Sequence, residues 1–296
     1  MAYDNHPFEE QELFLSGVYL EGVQGVTTNW SLPDDDIMSL GFVTPIAGTP
    51  NSNFEGEVTI NRLVVSSEDP LTGFFNQGVS GHYKYGDDYA YLFDQGYITN
   101  YSCICETSEI PQLDTTLKTF GTIKGSAPGY VDQPGPETYP NNTIYLPNVG
   151  DVKLEITNHN DSDPKIDIST DLVEAFEYTV DVDWEPLYGV GSLNPLEYYN
   201  RGAAVVQAVI TLDINKTVTP DFHSLICSPT LKDISLTIFS CGDNCDDEKT
   251  VVRKFTTPCA KLVEYNNIAT NLEVLTAEIV FKSVNTPVTQ LAEILS

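Results

Sequence analysis

Apolar and polar residues alternate with a period of two through most of this chain, the pattern of strands with one buried and one wet face. From Gly22 to Leu32, Val26, Thr28, Trp30 and Leu32 share one face, and Thr27, Asn29 and Ser31 the other. In the stretch starting at Gly56, Val58, Ile60 and Val64 alternate with Glu57, Thr59 and Asn61. The sharpest run places Phe176, Tyr178, Val180, Val182 and Trp184 against Glu177, Thr179, Asp181, Asp183 and Glu185. So many acids on one strand face repel, so that face is expected to be open to water. Its follower sets Val206, Ala208, Ile210, Leu212 and Ile214 opposite Gln207, Thr211 and Asp213.

Between these strands the chain is punctuated. LFLSGVYL, residues 13–20, reads as a short strand pair kinked at Gly17. Residues 33–53 are rich in Pro, Gly, Asp and Thr and read as a long loop with Asp34, Asp35 and Asp36 at its exposed tip. Residues 66–78 predict a short helix capped by Ser66 or Ser67 and stopped by Gly78. The next segment predicts a tight hairpin, with Tyr83 and Tyr85 facing Tyr89, Tyr91 and Phe93 across Gly86-Asp87-Asp88. Further strand pairs follow from Leu231 to Ser283, and the tail predicts a brief helix or an extended arm. The class is therefore all-β with one or two short helices. The expected divisions are 1–85, a Pro/Gly-rich insertion or surface lobe over 86–170, and 171–296.

Two stretches repeat one another. Gly41 with Gly191 and Pro45 with Pro195 share one offset of 150, Pro33 and Pro186 are 153 apart, and Trp30 and Trp184 are the two tryptophans of the chain. This predicts an internal duplication in which Trp30 and Trp184 anchor two equivalent hairpins, each costing about 3–5 kcal/mol if cut to alanine.

Composition narrows the function. With 43 Asp plus Glu against 14 Lys plus Arg, the formal net charge is −29, and no basic cluster is present. A surface of this kind disfavours nucleic-acid binding, which needs cations to displace phosphate counterions, and disfavours anionic membranes. The acidic N-terminus has no signal-peptide pattern and no run is long enough to span a membrane, so assembly in a cytoplasm is expected. Cys103, Cys105, Cys227, Cys241, Cys245 and Cys259 lack paired C-x-x-C spacing, so reduced packing thiols are the default over structural zinc or a disulfide. His6, His82, His159 and His223 share no metal-ligand spacing. No nucleophile elbow, phosphate loop, zinc-protease motif or dinucleotide fingerprint occurs, so the expectation is no enzyme, no catalytic residues, no metal and no cofactor.

The segments GVYLEGVQGVTTNWSLPDDDIMSLGF, FEYTVDVDWEPLYGVGSLNPLEYYNRGAAVVQAVITLDIN and CAKLVEYNNIATNLEVLTAEIVFKS resemble the major tail tube proteins of tailed bacteriophages. The resemblance implies a sandwich or split barrel whose two long hairpins join those of five neighbours in a β-barrel, with hexameric rings stacking into a tube. It implies a virion structural protein assembled in the host cytoplasm. The implied partners are itself and other tail proteins such as tape measure, terminator, baseplate hub and sheath, with DNA passing through unbound and no membrane involved. On that footing Glu55, Glu57, Glu177, Asp181, Asp183, Glu185 and Asp213 face the lumen, and Asp34, Asp35 and Asp36 form an inter-ring loop. The competing readings are a carbohydrate-binding adhesin, fibre or decoration module using the aromatic ladder from Tyr83 to Tyr97, and an acid-pair hydrolase.

Overall fold

The computed structural model describes residues 11–31, 34–37, 47–50, 55–67, 69–85, 89–107, 109–120, 123–125, 147–159, 173–190, 195–213, 230–240, 250–268, 276–283 and 286–295. Cys227, Cys241, Cys245, His6, His223, Gly41, Gly191, the 86–88 turn and most of the Pro-rich stretch after residue 125 lie outside them.

The fold is all-β and every strand pairing is antiparallel. The first half contributes β1 (Gln11–Leu15), β2 (Val18–Tyr19), β3 (Val23–Ser31), β4 (Asp34–Ile37), β5 (Ala47–Pro50), β6 (Glu55–Leu63), β7 (Val79–Tyr85), β8 (Tyr89–Glu106), β9 (Gln112–Thr119) and β10 (Ile123–Gly125). The second contributes β11 (Pro147–Asn158), β12 (Val173–Asp181), β13 (Trp184–Tyr188), β14 (Pro195–Asn200), β15 (Val205–Asp213), β16 (Lys232–Ser240), β17 (Val251–Ile268) and β18 (Thr276–Ser283). A 3₁₀ turn at Val288–Gln290 leads into a short helix, α1 (Leu291–Ile294), in the tail where a brief helix was expected.

The duplication extends to six strands and a small ribbon in each half. The first half pairs in the order β1-β7-β8-β9-β6-β3 and the second in the order β11-β16-β17-β18-β15-β12. Irregularities repeat as well as strands. Val23 pairs with Arg62 and Gly25 with Asn61; at the offset that separates Gly41 from Gly191, Val173 pairs with Leu212 and Ala175 with Thr211. Asp34 opposes Pro50 in the small ribbon β4–β5, and at the same offset Trp184 opposes Asn200 in the ribbon β13–β14. In the long strands the offset is 164: register slips at Thr99 in β8 and at Val263 in β17, and Gln95 and Cys259 both adopt positive φ, at 56° and 48°. A side chain in that region costs on the order of 1 kcal/mol, and a bulge there bends a strand sharply.

That bend explains how one strand serves two parts of the sheet. Before Gln95, β8 pairs with β7 and β10; after it, with β9 and β12, apart from Val79 of β7, which still opposes Gly96. The two arms fold over one core, which takes Leu13, Leu15, Val79 and Phe93 from one side and Val58, Ile60, Ile98 and Leu117 from the other. The halves join where β12 lies beside the second part of β8, from Ala175 opposite Glu106 to Asp181 opposite Asn100. The result is an eight-stranded run, β3-β6-β9-β8-β12-β15-β18-β17.

Several expectations need correction. The shared register of the two hairpins makes Val180 the counterpart of Trp30 and Asp34 the counterpart of Trp184, so the two tryptophans are not equivalent. Both are half-buried at the margin of the core, so truncating either costs less than a fully buried anchor would. Residues 86–170 are not, in their described parts, a surface lobe: β8 and β9 are central strands and β11 opens the second half. Their apolar alternation, as in Leu113, Thr115 and Leu117, is masked in the sequence by Thr and Cys at inward positions. Asp34, Asp35 and Asp36 lie in β4, paired to β5, because ladder hydrogen bonds override the weak strand propensity of Asp. The helix expected over 66–78 is a 3₁₀ turn at Pro70–Phe74 capped by Asp69, whose Oδ1 accepts from Leu71 N at 3.0 Å; Pro70, lacking an N–H, fixes the start there. The kink at Gly17 is a two-residue turn with Ser16 and Gly17 both at positive φ, the geometry of a tight hairpin.

Trp30 imposes a condition on its neighbour. A Cβ on Gly56, which lies opposite, would sit 2.0 Å from Trp30 Cε3 and 3.0 Å from Thr119 Cγ2. Gly56→Ala is expected to destabilise the fold by about 1–3 kcal/mol in urea denaturation. In a Trp30→Ala background most of that penalty should vanish.

Candidate functional site

Directly opposed residues in an antiparallel ladder point to the same side, so the eight-stranded run has two distinct faces. One is the core face, carrying Ile60, Leu117, Tyr101, Tyr178, Ala208 and Phe281. The other is mainly polar, with Ile104, Val205, Val209 and Val280 interspersed among its acids. One row runs Thr27, Thr59, Thr116, Asn100, Asp181; another runs Gly25, Asn61, Asp114, Ser102, Thr179, Gln207, Lys282, Lys261. Acids on this face are Glu55, Glu57, Glu106, Asp114, Glu177, Asp181, Asp213, Glu264 and Glu278, against Lys118, Lys261 and Lys282. The face is therefore continuous over both halves and predominantly acidic.

Five of the seven acids selected from the sequence lie on it, in β6, β12 and β15. Glu57, Glu177 and Asp181 are exposed, and Asp181 accepts from Asn100 Nδ2 at 2.8 Å. Glu55 is not an isolated charge: Lys118 Nζ stands 2.9 Å away across the neighbouring strand. Such a half-exposed pair is worth only about 0–1 kcal/mol but cancels one unit of local field. Asp183 and Glu185 do not continue the row. β12 ends at Asp181, and Arg201 N donates to the Asp183 carbonyl at 3.1 Å in the link that follows. Glu185 belongs to the separate β13–β14 ribbon, where the Tyr199 hydroxyl donates to it at 2.6 Å and Arg201 pairs with it; together these hold its carboxyl below the ordinary range. The unbroken alternation through Trp184 hid this change of sheet.

The ribbon leans on the first half. Trp184 packs against Tyr97 at 4.8 Å between ring centroids, Tyr97 against Tyr198 at 4.4 Å, and the Tyr198 hydroxyl donates to Gln95 Oε1 at 2.7 Å. Its far end is apolar and bare, with Val190 fully exposed and Leu196 74% exposed.

Asp114, Glu264, Glu278 and the three lysines were not selected from sequence, because their strands showed weaker alternation than β12. The Tyr hairpin has the expected register, Tyr83 opposite Tyr91 and Gly81 opposite Phe93; Phe93 is buried over Gly81, whereas Tyr91 is exposed.

Two clusters escape any reading by spacing. Arg62, Asp69, Tyr101 and Arg253 meet in the core: Asp69 Oδ2 accepts from Arg62 Nη2 at 2.5 Å and from the Tyr101 hydroxyl at 2.8 Å, and Arg253 Nη2 donates to the Ser66 carbonyl at 3.1 Å. Burial alone would raise the Asp69 pKa, but Arg62 and Arg253 outweigh it and hold the carboxyl below its ordinary value. Desolvation, then Asp69, pushes the Tyr101 phenol well up, so it stays a neutral donor. Second, His159, Asp233 and Cys259 bring ligand atoms within 4.8 Å of one another and could hold a metal ion. Here Asp233 Oδ1 accepts from Cys259 N at 2.8 Å, which ties down the β17 bulge. Cys103 and Cys105 are free thiols buried in the core, their sulfurs 3.8 Å apart.

Among the described residues no helix is long and apolar enough to cross a membrane. Compared with known proteins, the chain matches no family model and no curated protein.

Proposed function

We propose that this chain is a structural virion protein that polymerises as stacked rings, on the hexameric pattern the resemblance implies, into a phage tail tube whose acidic lumen conducts DNA without binding it. The observation that carries the reading is the polar face of the eight-stranded run, continuous across both halves and backed by one apolar core. A sheet with one wet face and open edges is suited to a barrel closed across subunits, which removes the edges and encloses the wet face. Nine acids against three lysines on that face repel phosphate at short range, within a Debye length of about 8 Å at physiological salt. The bare apolar end of the β13–β14 ribbon supports axial contacts between rings, since exposed Val190 and Leu196 gain most from being covered. Asp34, Asp35 and Asp36, in the equivalent ribbon of the first half, are the matching inter-ring candidates.

Other tail proteins, among them tape measure, terminator and baseplate hub, are proposed as partners at the tube ends. The carbohydrate-binding alternative rests on exposed Tyr91 opposite Tyr83. Negative-stain electron microscopy of the purified chain separates the two. Rings or hollow tubes are the expected result; a monodisperse protein that binds glycans would overturn the tube reading.

A further inference from the structure

We infer that the two ends of the eight-stranded run are the two sides of one joint, so that β3 of each chain pairs with β17 of the next and three chains, not six, complete a ring. The inference deepens the tube reading above and rests on it for the sixfold pattern of a ring, of which each chain would supply two members, β3-β6-β9-β8 and β12-β15-β18-β17.

The joint already exists once inside the chain. There β12 lies antiparallel to the second part of β8, with Glu177 opposite Ile104, Thr179 opposite Ser102, Val180 opposite Tyr101 and Asp181 opposite Asn100. By the internal duplication, β12 is the counterpart of β3, and the second part of β8 is the counterpart of the second part of β17. Carrying the pairs across sets Thr27 opposite Ile268, Asn29 opposite Asn266, Trp30 opposite Tyr265 and Ser31 opposite Glu264. No like charges are opposed in this register. A run of eight antiparallel strands begins and ends in opposite directions, so adding chains head to tail continues the antiparallel order without a break. Head-to-tail contacts of this kind close into rings when the rotation between units allows.

Burial points the same way. In β12, flanked on both sides, Phe176, Tyr178 and Val180 are buried; their counterparts Val26, Thr28 and Trp30 in β3 are half-buried. Tyr101 in β8 is fully buried, while its counterpart Tyr265 is half-buried and Val263, at the bulge, is 46% exposed. A strand docked as β12 docks on β8 would cover these positions. Among the described residues β3 pairs with β6 alone, this part of β17 pairs with β18 alone, and the run is not closed.

The test uses the full chain carrying Asn29→Cys and Asn266→Cys, both exposed positions. Opposed residues in an antiparallel pair have Cα atoms roughly 4.5–5.5 Å apart, within disulfide reach. On mild oxidation of assembled protein, non-reducing gels should show products of two and three chains and none larger, dependent on both cysteines and reversed by thiol. Native mass of the unmodified ring should equal three chains. Hollow tubes with a ladder ending at six would keep the joint and overturn the count. Hollow tubes without crosslinks beyond the single-cysteine controls would overturn the joint and leave the tube reading standing. Crosslinked oligomers without hollow particles would keep the joint and overturn the tube reading, and neither crosslinks nor assembly would overturn both.

Discussion

Asp69→Ala is expected to remove about 3–5 kcal/mol of stability, a large part of the roughly 5–15 kcal/mol that separates a folded protein from its unfolded chain. The reason is what it leaves behind. Arg62 is buried, and with Asp69 gone its guanidinium loses its 2.5 Å partner and is left as an uncompensated buried charge. Tyr101 loses the acceptor of its hydroxyl, and the Pro70–Phe74 turn loses its cap. Asp69→Asn should fall between, since the amide oxygen can still accept from Leu71 N but carries no charge.

The same carboxylate sets an acid limit. Its pKa is lowered in the folded protein, so its contribution is fully present above the ordinary aspartate value of about 3.9 and is lost as pH falls through the lowered value. Urea denaturation at pH 7 and near pH 3 should therefore show a gap between wild type and Asp69→Ala that narrows in acid. A gap that does not change with pH would place the effect in packing, not charge.

The second large effect concerns DNA. Reversing Glu57, Glu177 and Asp181 to lysine should leave assembly intact, because all three are exposed on the polar face and none makes a core contact. Purified tubes of the variant should retain linear DNA that wild-type tubes release. The retention should weaken with salt, with a slope of about −0.9 in log affinity per phosphate neutralised. Neutralising the same three with glutamine and asparagine should slow ejection more mildly. Asp183 and Glu185 are poorer targets than the alternation suggests, since one lies in a link and the other is held by Tyr199 and Arg201.

The all-β class and the inward sets of β6, β12 and β15 were legible because period-two alternation follows directly from one face packing on a core. The duplication was legible in the equal spacing of Gly41 to Gly191 and Pro45 to Pro195, but its extent was not. Strand register, bulges and the bends at Gln95 and Cys259 are backbone properties shared by dissimilar residues, so neither position announces itself as the other's counterpart. Trp30 and Trp184 drew attention for rarity, yet rarity carries no register, and they occupy different places in the repeat. The buried Arg62–Asp69–Arg253 cluster joins residues 187 positions apart at its widest backbone contact, which local pattern cannot reveal. Asp114, Glu264 and Glu278 joined the polar face only once their strands were placed beside the hairpins.

The most direct test of the account is the averaged cross-section of the assembled particle by cryo-electron microscopy. A central channel lined by the face that carries Glu57, Glu177 and Asp181, with Tyr178 and Ile60 turned away from it, is the predicted result. A solid particle, or a hollow one with that acidic face on its outer surface, would contradict it.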